Sequence, residues 1–254
     1  ASHLQLVRLV TGDYDGDGDV DLVCSTNAIN GVVETPFQDL CPVNLYRNDG
    51  LGQFVGTVEL TETHAVRCIS ENATAALGAA DYDKDGDLDL ALGEFPGNLK
   101  IMENTRDGQV LVDTDFLVDT SALLLEADLE YLPYDLRWAD YDNDGDPELA
   151  AAYPIQRQAR IYDQAGGVFG ETYIIRTTTF MTPLTIDWGD FNGDGHVDLV
   201  VADTAPLFYE YVSGFGFRRL TTLDVGTSAG DGQIWSVQGI ELGSRQNHDL
   251  AVSN

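Results

Sequence analysis

Basic residues are scarce in this chain. Its 254 residues include 13 Lys and Arg against 43 Asp and Glu, so the formal net charge at pH 7 is −30. A charge of this sign opposes electrostatic binding to nucleic acid or to an anionic membrane, and we expect neither as a partner. The sequence also has no apolar run near the ~20 residues that cross a bilayer, so we expect no membrane insertion.

Motifs for catalysis are missing as well. The chain has no Gly-x-Ser-x-Gly, no His-Glu-x-x-His and no phosphate-binding glycine loop, and its four histidines are scattered along the sequence. We therefore predict no catalytic residues and a protein that is not an enzyme.

Cysteine is rare, with three residues in the chain. Cys41 and Cys68 both lie in predicted loops and form the first-choice disulfide, whereas Cys24 lies in an apolar strand and is predicted to be a small core residue. Asn72 begins the single glycosylation sequon, Asn72-Ala-Thr74, and is a glycan candidate if the chain is secreted.

The most prominent feature of the chain is an acidic loop motif that occurs four times. An acid stands at nearly every second position, a glycine at the sixth, and an apolar run follows the ninth. Loop 1 spans residues 13–21, loop 2 residues 81–89, loop 3 residues 140–148 and loop 4 residues 190–198. One such loop could be a metal-free Asp-Gly turn, but four matched copies make that reading remote.

Oxygen ligands at alternate positions indicate a hard cation that accepts six to eight oxygens, as Ca²⁺ does. Zinc and copper would need histidine or thiolate ligands, and magnesium prefers a tighter octahedron that keeps its waters. We predict about four Ca²⁺ ions, held by side chains at positions 1, 3, 5 and 9 and by a backbone carbonyl at position 7. The predicted ligands are Asp13, Asp15, Asp17, Asp19 and Asp21; Asp81, Asp83, Asp85, Asp87 and Asp89; Asp140, Asp142, Asp144, Asp146 and Glu148; and Asp190, Asn192, Asp194, His196 and Asp198, with Asp19, Asp87, Asp146 and His196 acting through the carbonyl.

The start of each loop resembles an EF-hand, but the rest excludes one. An EF-hand needs a glutamate at position 12 and helices on both sides. Position 12 is occupied here by Cys24, Leu92, Ala151 and Val201. The flanking segments are short and apolar, which is typical of buried strands, so each loop is predicted to join two strands.

The spacing of the loops predicts the fold. A second signature, two extended segments around a glycine turn, follows each loop, as in Asn44-Leu-Tyr-Arg-Asn-Asp-Gly-Leu-Gly-Gln-Phe-Val. Each unit then has four antiparallel strands, and radial repetition of such units predicts an all-β fold, a β-propeller with a calcium loop in the first hairpin of each blade. We place units at residues 3–63, 73–119, 133–178 and 183–223, and a partial fifth at 234–254, in one domain spanning 1–254. The fifth keeps Asp249 but has Arg245 at position 5, so no metal is expected there.

These residues resemble a known family. Asp-x-Asp-x-Asp-Gly-x-x-Asp-Leu, followed by Leu-Tyr-Arg-Asn-Asp-Gly, is similar to the FG-GAP (VCBS-type) repeat of integrin α-subunit propellers and bacterial surface proteins. The resemblance implies calcium in the four loops, an extracellular setting, and a role in adhesion or ligand binding. Four and a half units depart from the seven blades usual in that family. The chain could close as a five-bladed ring, belong to a longer polypeptide, or have its last blade completed by a neighbouring subunit.

The sequence therefore predicts a secreted or cell-surface, calcium-binding, non-enzymatic module for adhesion, with a protein or glycan ligand. The start at Ala1 fits a mature end left by signal-peptide cleavage, or a trimmed chain. The alternative is a structural subunit of an extracellular filament or surface layer that binds copies of itself through the incomplete blade. An enzyme with an active site in the propeller channel is the less favoured third option.

Overall fold

The structure, a computed structural model, describes residues 6–26, 39–40, 43–60, 67–68, 76–94, 98–105, 116–118, 133–177, 185–202, 206–220, 236–240 and 249–253. Every regular element among these residues is a β-strand, as the apolar flanks of the acidic loops predict. The strands, in chain order, are β1 Leu6–Gly12, β2 Asp21–Thr26, β3 Asp39–Leu40, β4 Val43–Asn48, β5 Phe54–Glu59, β6 Arg67–Cys68, β7 Ala76–Ala80, β8 Asp89–Glu94, β9 Asn98–Asn104, β10 Phe116–Val118, β11 Asp135–Ala139, β12 Glu148–Tyr153, β13 Gln158–Ala165, β14 Val168–Arg176, β15 Thr185–Gly189, β16 Asp198–Ala202, β17 Pro206–Val212, β18 Gly216–Arg219, β19 Ser236–Ile240 and β20 Asp249–Ser253.

Four of the sheets have four strands each, and their neighbouring strands are consecutive along the chain apart from the short β3. Sheet 1 has the order β1-β2-β4-β5, sheet 2 β7-β8-β9-β10, sheet 3 β11-β12-β13-β14 and sheet 4 β15-β16-β17-β18. Their strands pair in antiparallel fashion, as β1 with β2, β8 with β9, β11 with β12 and β16 with β17 do. This confirms the predicted four-stranded antiparallel units. Two smaller sheets pair β19 with β20 and β3 with β6.

Each acidic loop joins the first two strands of its sheet in the same register. The residue before position 1 pairs with the residue at position 9 in every case: Gly12 with Asp21, Ala80 with Asp89, Ala139 with Glu148, and Gly189 with Asp198. The loops therefore close strand hairpins, which confirms the exclusion of an EF-hand. The shared register also gives the four position-9 carboxylates the same place at the start of a buried second strand.

The chain divides into two compact units. The first comprises residues 1–133 and 166–168, and the second residues 134–165 and 169–254. Alternate apolar residues of the strands fill each core, as Val23, Leu45 and Leu90 do in the first unit and Ala150, Ile161 and Leu199 do in the second. Cys24 lies in β2 and is 4% exposed, as predicted for a small core residue.

First strands of neighbouring sheets lie side by side within each unit. In the first unit β1 contacts β7, and in the second unit β15 contacts both β11 and β19. A buried carboxylate joins β11 to β15, because Asp135 Oδ2 accepts hydrogen bonds from Thr185 Oγ1 (2.9 Å) and from the backbone N–H of Ile186 (3.1 Å). Asp135 Oδ1 also lies 2.7 Å from Arg137 Nη1.

Candidate metal loops

The backbone of the four loops follows one path. The glycine at position 6 has a φ of +94° in loop 1, +97° in loop 2, +93° in loop 3 and +87° in loop 4, which explains why the sequence repeats glycine there. The backbone at position 4 is also in the left-handed region, although two of the four residues there are not glycine: Lys84 (φ +64°) and Asn143 (φ +61°). Such a conformation costs a non-glycine residue about 1 kcal/mol, and the loop maintains it against that cost.

The position-1 carboxylate organises the turn. In loop 1, Asp13 Oδ1 accepts hydrogen bonds from the backbone N–H groups of Gly16 (2.6 Å) and Asp17 (3.1 Å), and Oδ2 accepts one from Gly18 (2.9 Å). The position-6 glycine makes the corresponding bond to Asp81 (3.0 Å), Asp140 (3.0 Å) and Asp190 (2.9 Å) in the other loops. The first predicted ligand is therefore held in place by the backbone N–H groups that follow it.

The carboxylates at positions 3 and 5 each accept a hydrogen bond from the backbone N–H two residues further along the chain. Oδ1 of Asp15 accepts from the N–H of Asp17 (3.2 Å), and Oδ1 of Asp17 accepts from Asp19 (2.9 Å). Loops 2 and 3 have the same pair of bonds, which place the position-7 residues Asp87 and Asp146. Because one oxygen of each carboxylate makes the turn, the other is left for a ligand.

Position 9 carries the most deeply buried acid of each loop. Asp21 and Glu148 are 0% exposed, and Asp89 and Asp198 are 1% exposed. One oxygen accepts a hydrogen bond from the backbone N–H at position 2, at 3.0 Å in loop 1 and 3.2 Å in loop 3. In loops 1 and 2 the second oxygen accepts one from the last residue of the third strand, Asn48 or Asn104, both at 2.8 Å.

Carboxylate oxygens converge in three of the loops. One oxygen from each of Asp13, Asp15 and Asp17 lies within 4.8 Å of the others, and the same holds for Asp81, Asp83 and Asp85, and for Asp140, Asp142 and Glu148. Two oxygens in these groups are buried and have no hydrogen-bond partner among the described residues, Asp81 Oδ1 and Glu148 Oε1. An unpartnered buried carboxylate oxygen is costly, and a hard cation is the ligand that such oxygens accept. The donor sets of loops 1 to 3 thus fit Ca²⁺.

Loop 4 differs at position 3. Asn192 Oδ1 accepts the turn bond from the N–H of Asp194 (2.8 Å), so the amide nitrogen occupies the place of the second carboxylate oxygen. That nitrogen donates to Asp194 Oδ2 at 3.0 Å and reaches Asp198 Oδ1 at 3.5 Å. In loop 4 the Asn192 amide group therefore offsets part of the repulsion between the neighbouring carboxylates.

Several loop carboxylates have a raised pKa. Burial, as the main cause, raises the pKa of Asp89 to about 8, that of Glu148 to about 8 and that of Asp198 to about 7. Burial followed by neighbouring carboxylates raises the pKa of Asp15 and of Asp142. A bound cation would reverse these shifts, because it stabilises the ionised form of every ligand.

Sequence reasoning missed one set of supporting side chains. An amide near the end of the third strand donates to the backbone carbonyl at position 8: Asn48 to Val20 (3.1 Å), Asn104 to Leu88 (3.3 Å) and Gln164 to Pro147 (2.9 Å). Asn48 stands inside the Leu-Tyr-Arg-Asn-Asp-Gly signature, so the recurrence of an amide at that place was the available signal. These amides tie each loop to its own sheet.

The aromatic residue at position 2 belongs to the core. Tyr82, Tyr141 and Phe191 are 2%, 1% and 7% exposed, respectively. Tyr141 stacks on Trp188 at a centroid distance of 5.9 Å and meets Tyr211 edge-on at 4.6 Å. The ring thus connects loop 3 to the core of the second unit.

Two modification candidates fall outside the described residues, Cys41 and Asn72, so the disulfide and the glycan stay predictions. Cys68 ends β6, and its backbone pairs with Asp39 of β3, which directly precedes the segment that contains Cys41. In the part of the chain described above, no helix is long and apolar enough to span a membrane.

Comparison with known proteins gives one match and one negative finding. The family of FG-GAP-like repeats matches residues 13–92, 81–151 and 140–201, so each match begins at the first acid of a loop and ends in the strand after the next loop. No curated protein matches the chain. FG-GAP repeats often bind Ca²⁺ and typically occur in extracellular proteins. Because the matches together cover most of the chain, this protein belongs to the FG-GAP-like repeat family.

Proposed function

We propose that the four loops bind Ca²⁺, about four ions in all, and that these ions stabilise the fold. The observation that carries this proposal is Glu148 Oε1, which is fully buried beside Asp140 and Asp142 and lacks a hydrogen-bond partner among the described residues. A cation bound there would pair the orphaned oxygen and neutralise the surrounding acids. Because the unfolded chain cannot assemble the ligands, the binding free energy would add to folding stability.

We further propose that the four-stranded sheets are blades of a β-propeller. The family favours this arrangement, and so does the contact of first strands between neighbouring sheets in each unit. In a propeller the first strand of each blade lies nearest the central channel. The pair β19–β20 would then start a fifth blade.

The function favoured by these properties is that of an extracellular, non-enzymatic module for adhesion or ligand binding, on a protein or glycan. The extracellular setting is typical of the family, and the acidic net charge opposes anionic partners. The end of sheet 3 opposite loop 3 exposes Tyr134 (43%) and Ile155 (54%). An exposed aromatic ring and an exposed apolar side chain suit contact with a sugar face or a protein surface.

A calorimetric titration tests calcium binding. Chelator-stripped protein titrated with CaCl₂ should bind about four ions, whereas MgCl₂ in the same buffer should bind more weakly. Melting in excess EDTA should occur well below melting in millimolar Ca²⁺. An identical melting curve in both conditions, with no heat of binding, would refute the proposal.

Self-assembly through the edge of β20 is the second candidate. Among the described residues β20 pairs with β19 alone, whereas the second strand of each larger sheet has a partner on both sides. An edge of this kind can pair with a strand from another copy. Light scattering after size exclusion, with and without Ca²⁺, distinguishes the candidates: a monomer at high calcium and high protein concentration would rule out assembly.

A further inference from the structure

Asn104 is bonded to two acidic loops at once. It ends β9, is 0% exposed, and donates its backbone N–H to Asp89 Oδ1 of loop 2 (2.8 Å). Its side-chain nitrogen donates to the backbone carbonyl of Tyr14 in loop 1 (3.0 Å) and to that of Leu88 in loop 2 (3.3 Å). All four residues belong to the first unit, so one buried amide connects two predicted metal sites.

The bond to Tyr14 acts on the ligands of loop 1. The Tyr14 carbonyl shares its peptide plane with the nitrogen of Asp15, so a donor that fixes the carbonyl also fixes the backbone of Asp15. The N–H of Tyr14 in turn donates to Asp21 Oδ2 (3.0 Å). Asn104 therefore restrains a residue that lies between the ligands at positions 1 and 3 and touches the ligand at position 9.

The amide of Asn104 has one sensible orientation. Its nitrogen faces two carbonyl oxygens, whereas its Oδ1 is buried and has no hydrogen-bond partner in the part of the chain that the structure describes. Reversing the amide would set its oxygen against both carbonyls. The side-chain nitrogen of Asn104 therefore donates to both loops in this orientation alone.

We propose that Asn104 is a positioning residue that couples loops 1 and 2, so that Ca²⁺ in one loop raises the affinity of the other. This inference rests on the proposed calcium binding. An ion in loop 2 fixes the carboxylate of Asp89, which holds the backbone of Asn104, and the side chain of Asn104 then holds Tyr14 in the shape that loop 1 needs for its own ion. Linkage requires the reverse effect to be equally large.

Asn48 is a matched control within the same unit. It ends β4 and makes the same two bonds to its own loop, from its N–H to Asp21 Oδ1 (2.8 Å) and from its side chain to the carbonyl of Val20 (3.1 Å). Among the described residues its side-chain nitrogen bonds to no second loop. Removing either side chain weakens the support of one loop, but only the loss of Asn104 removes a connection between two.

Site-resolved NMR can measure the coupling. With ¹⁵N-glycine labelling, the amides of Gly18 and Gly86 report loops 1 and 2 separately, because each donates to the position-1 carboxylate of its own loop. The double substitution Asp83→Asn, Asp85→Asn disables loop 2 and keeps the oxygens that make its turn bonds. We expect it to weaken Ca²⁺ binding at Gly18 about fivefold, the change that one net hydrogen bond of ordinary strength produces.

The same double substitution made in an Asn104→Ala background should change binding at Gly18 only by the direct effect of the two lost charges. In an Asn48→Ala background it should still cause the full loss. The direct effect of the two lost charges on loop 1 is common to all backgrounds and cancels in the double-mutant cycle. Asn104→Ser serves as a second variant if Asn104→Ala fails to fold, and circular dichroism in saturating Ca²⁺ checks each fold.

The outcomes distinguish a failure of the proposed calcium binding from a failure of the proposed role of Asn104. If neither glycine shifts with Ca²⁺, the proposed calcium binding fails. If both shift but disabling loop 2 leaves loop 1 unchanged, or if the coupling survives in both Asn104 variants, calcium binding stands and the role of Asn104 is refuted. Coupling that disappears with Asn104 and persists without the Asn48 side chain supports it.

Discussion

Replacing Glu148 by Gln should stabilise the protein without calcium, and that advantage should be lost when calcium is bound. Glu148 Oε2 accepts a hydrogen bond from the N–H of Tyr141 (3.2 Å), and Oε1 is the buried oxygen that has no partner in the described part of the chain. Glutamine keeps the first bond through its oxygen and places an N–H donor among the acids of loop 3. Asn192 already has this arrangement in loop 4, where its nitrogen donates to Asp194.

The pKa of Glu148 sets the size of the effect in EDTA. Burial raises it from the usual 4.5 to about 8, so the folded protein binds more protons than the unfolded chain between those pH values, and its stability falls as the pH rises through them. At pH 7 the penalty is about 3 kcal/mol at most, from roughly 1.4 kcal/mol per pKa unit. Glu148→Gln removes it, and the melting temperature should rise by about 5–10 °C.

In saturating Ca²⁺ this advantage should disappear. An ion at a thousandfold excess over its dissociation constant adds about 4 kcal/mol of stability to the wild type. The variant lacks the ionised ligand and should lose most of that gain at loop 3. Tryptophan emission suits the assay, because Trp138 and Trp188 lie in the second unit together with loop 3.

Asp146→Asn is the control, because it removes an equal charge from position 7 without removing a predicted side-chain ligand. It should change stability in EDTA less than Glu148→Gln and should retain the response to Ca²⁺. The gain of Glu148→Gln in EDTA should also shrink toward zero at pH 4.5 and reach its maximum near pH 8. If Glu148→Gln destabilised the protein equally in EDTA and in Ca²⁺, then Glu148 would be a structural acid and the reasoning would be wrong.

Three further predictions concern other parts of the two units. Gly50→Ala should weaken Ca²⁺ binding at loop 1, because a Cβ at Gly50 (φ +70°) would lie 2.3 Å from Asp19 Oδ2. The control Gly52→Ala, at a φ of +83° with open space around it, should cost about 1 kcal/mol of stability without affecting the loop. Calorimetry measures the Ca²⁺ affinity of the two variants, and urea unfolding measures their stability. Asp135→Ala should cost about 2 kcal/mol, since it leaves Thr185 Oγ1 and the N–H of Ile186 without their acceptor, while Arg137 keeps Asp187 at 3.6 Å. Asp135→Asn should cost less in urea unfolding; equal losses would contradict the role of the buried carboxylate. Tryptophan emission should change on Ca²⁺ addition through Trp188, which stacks on Tyr141 beside Glu148; Asp142→Asn with Asp144→Asn should abolish the change, and the loop 2 double substitution should preserve it.

The strands and loops were predictable because their signals are local. An acid at alternate positions makes its turn bonds within five residues, as Asp13 does with Gly16, Asp17 and Gly18. The apolar runs after position 9 are long enough to indicate strands whatever their neighbours are. For these reasons the hairpins around the loops and the burial of Cys24 follow from the sequence alone.

Other features depend on contacts between distant residues. The bond between Asn104 and Tyr14 spans 90 positions, and that between Thr185 and Asp135 spans 50. No periodicity links such residues, because the geometry that brings them together is that of neighbouring sheets. The left-handed conformation of Lys84 was likewise hidden, since nothing in a lysine side chain favours a positive φ.

The four loops differ in how far their own hydrogen-bond donors compensate their carboxylates in the absence of a cation. Loop 3 buries a glutamate oxygen with no partner among the described residues, and loop 2 buries an aspartate oxygen in the same state, whereas in loop 4 the Asn192 amide donates to one acid and approaches a second. A loop whose repulsion is offset internally loses less when the ion is absent, and its ion has less penalty to remove. The effect of calcium on stability should therefore be largest at loops 2 and 3 and smallest at loop 4. On this view the substitution of asparagine at position 3 lets one hairpin remain folded at low calcium, and Glu148→Gln would give loop 3 the same property.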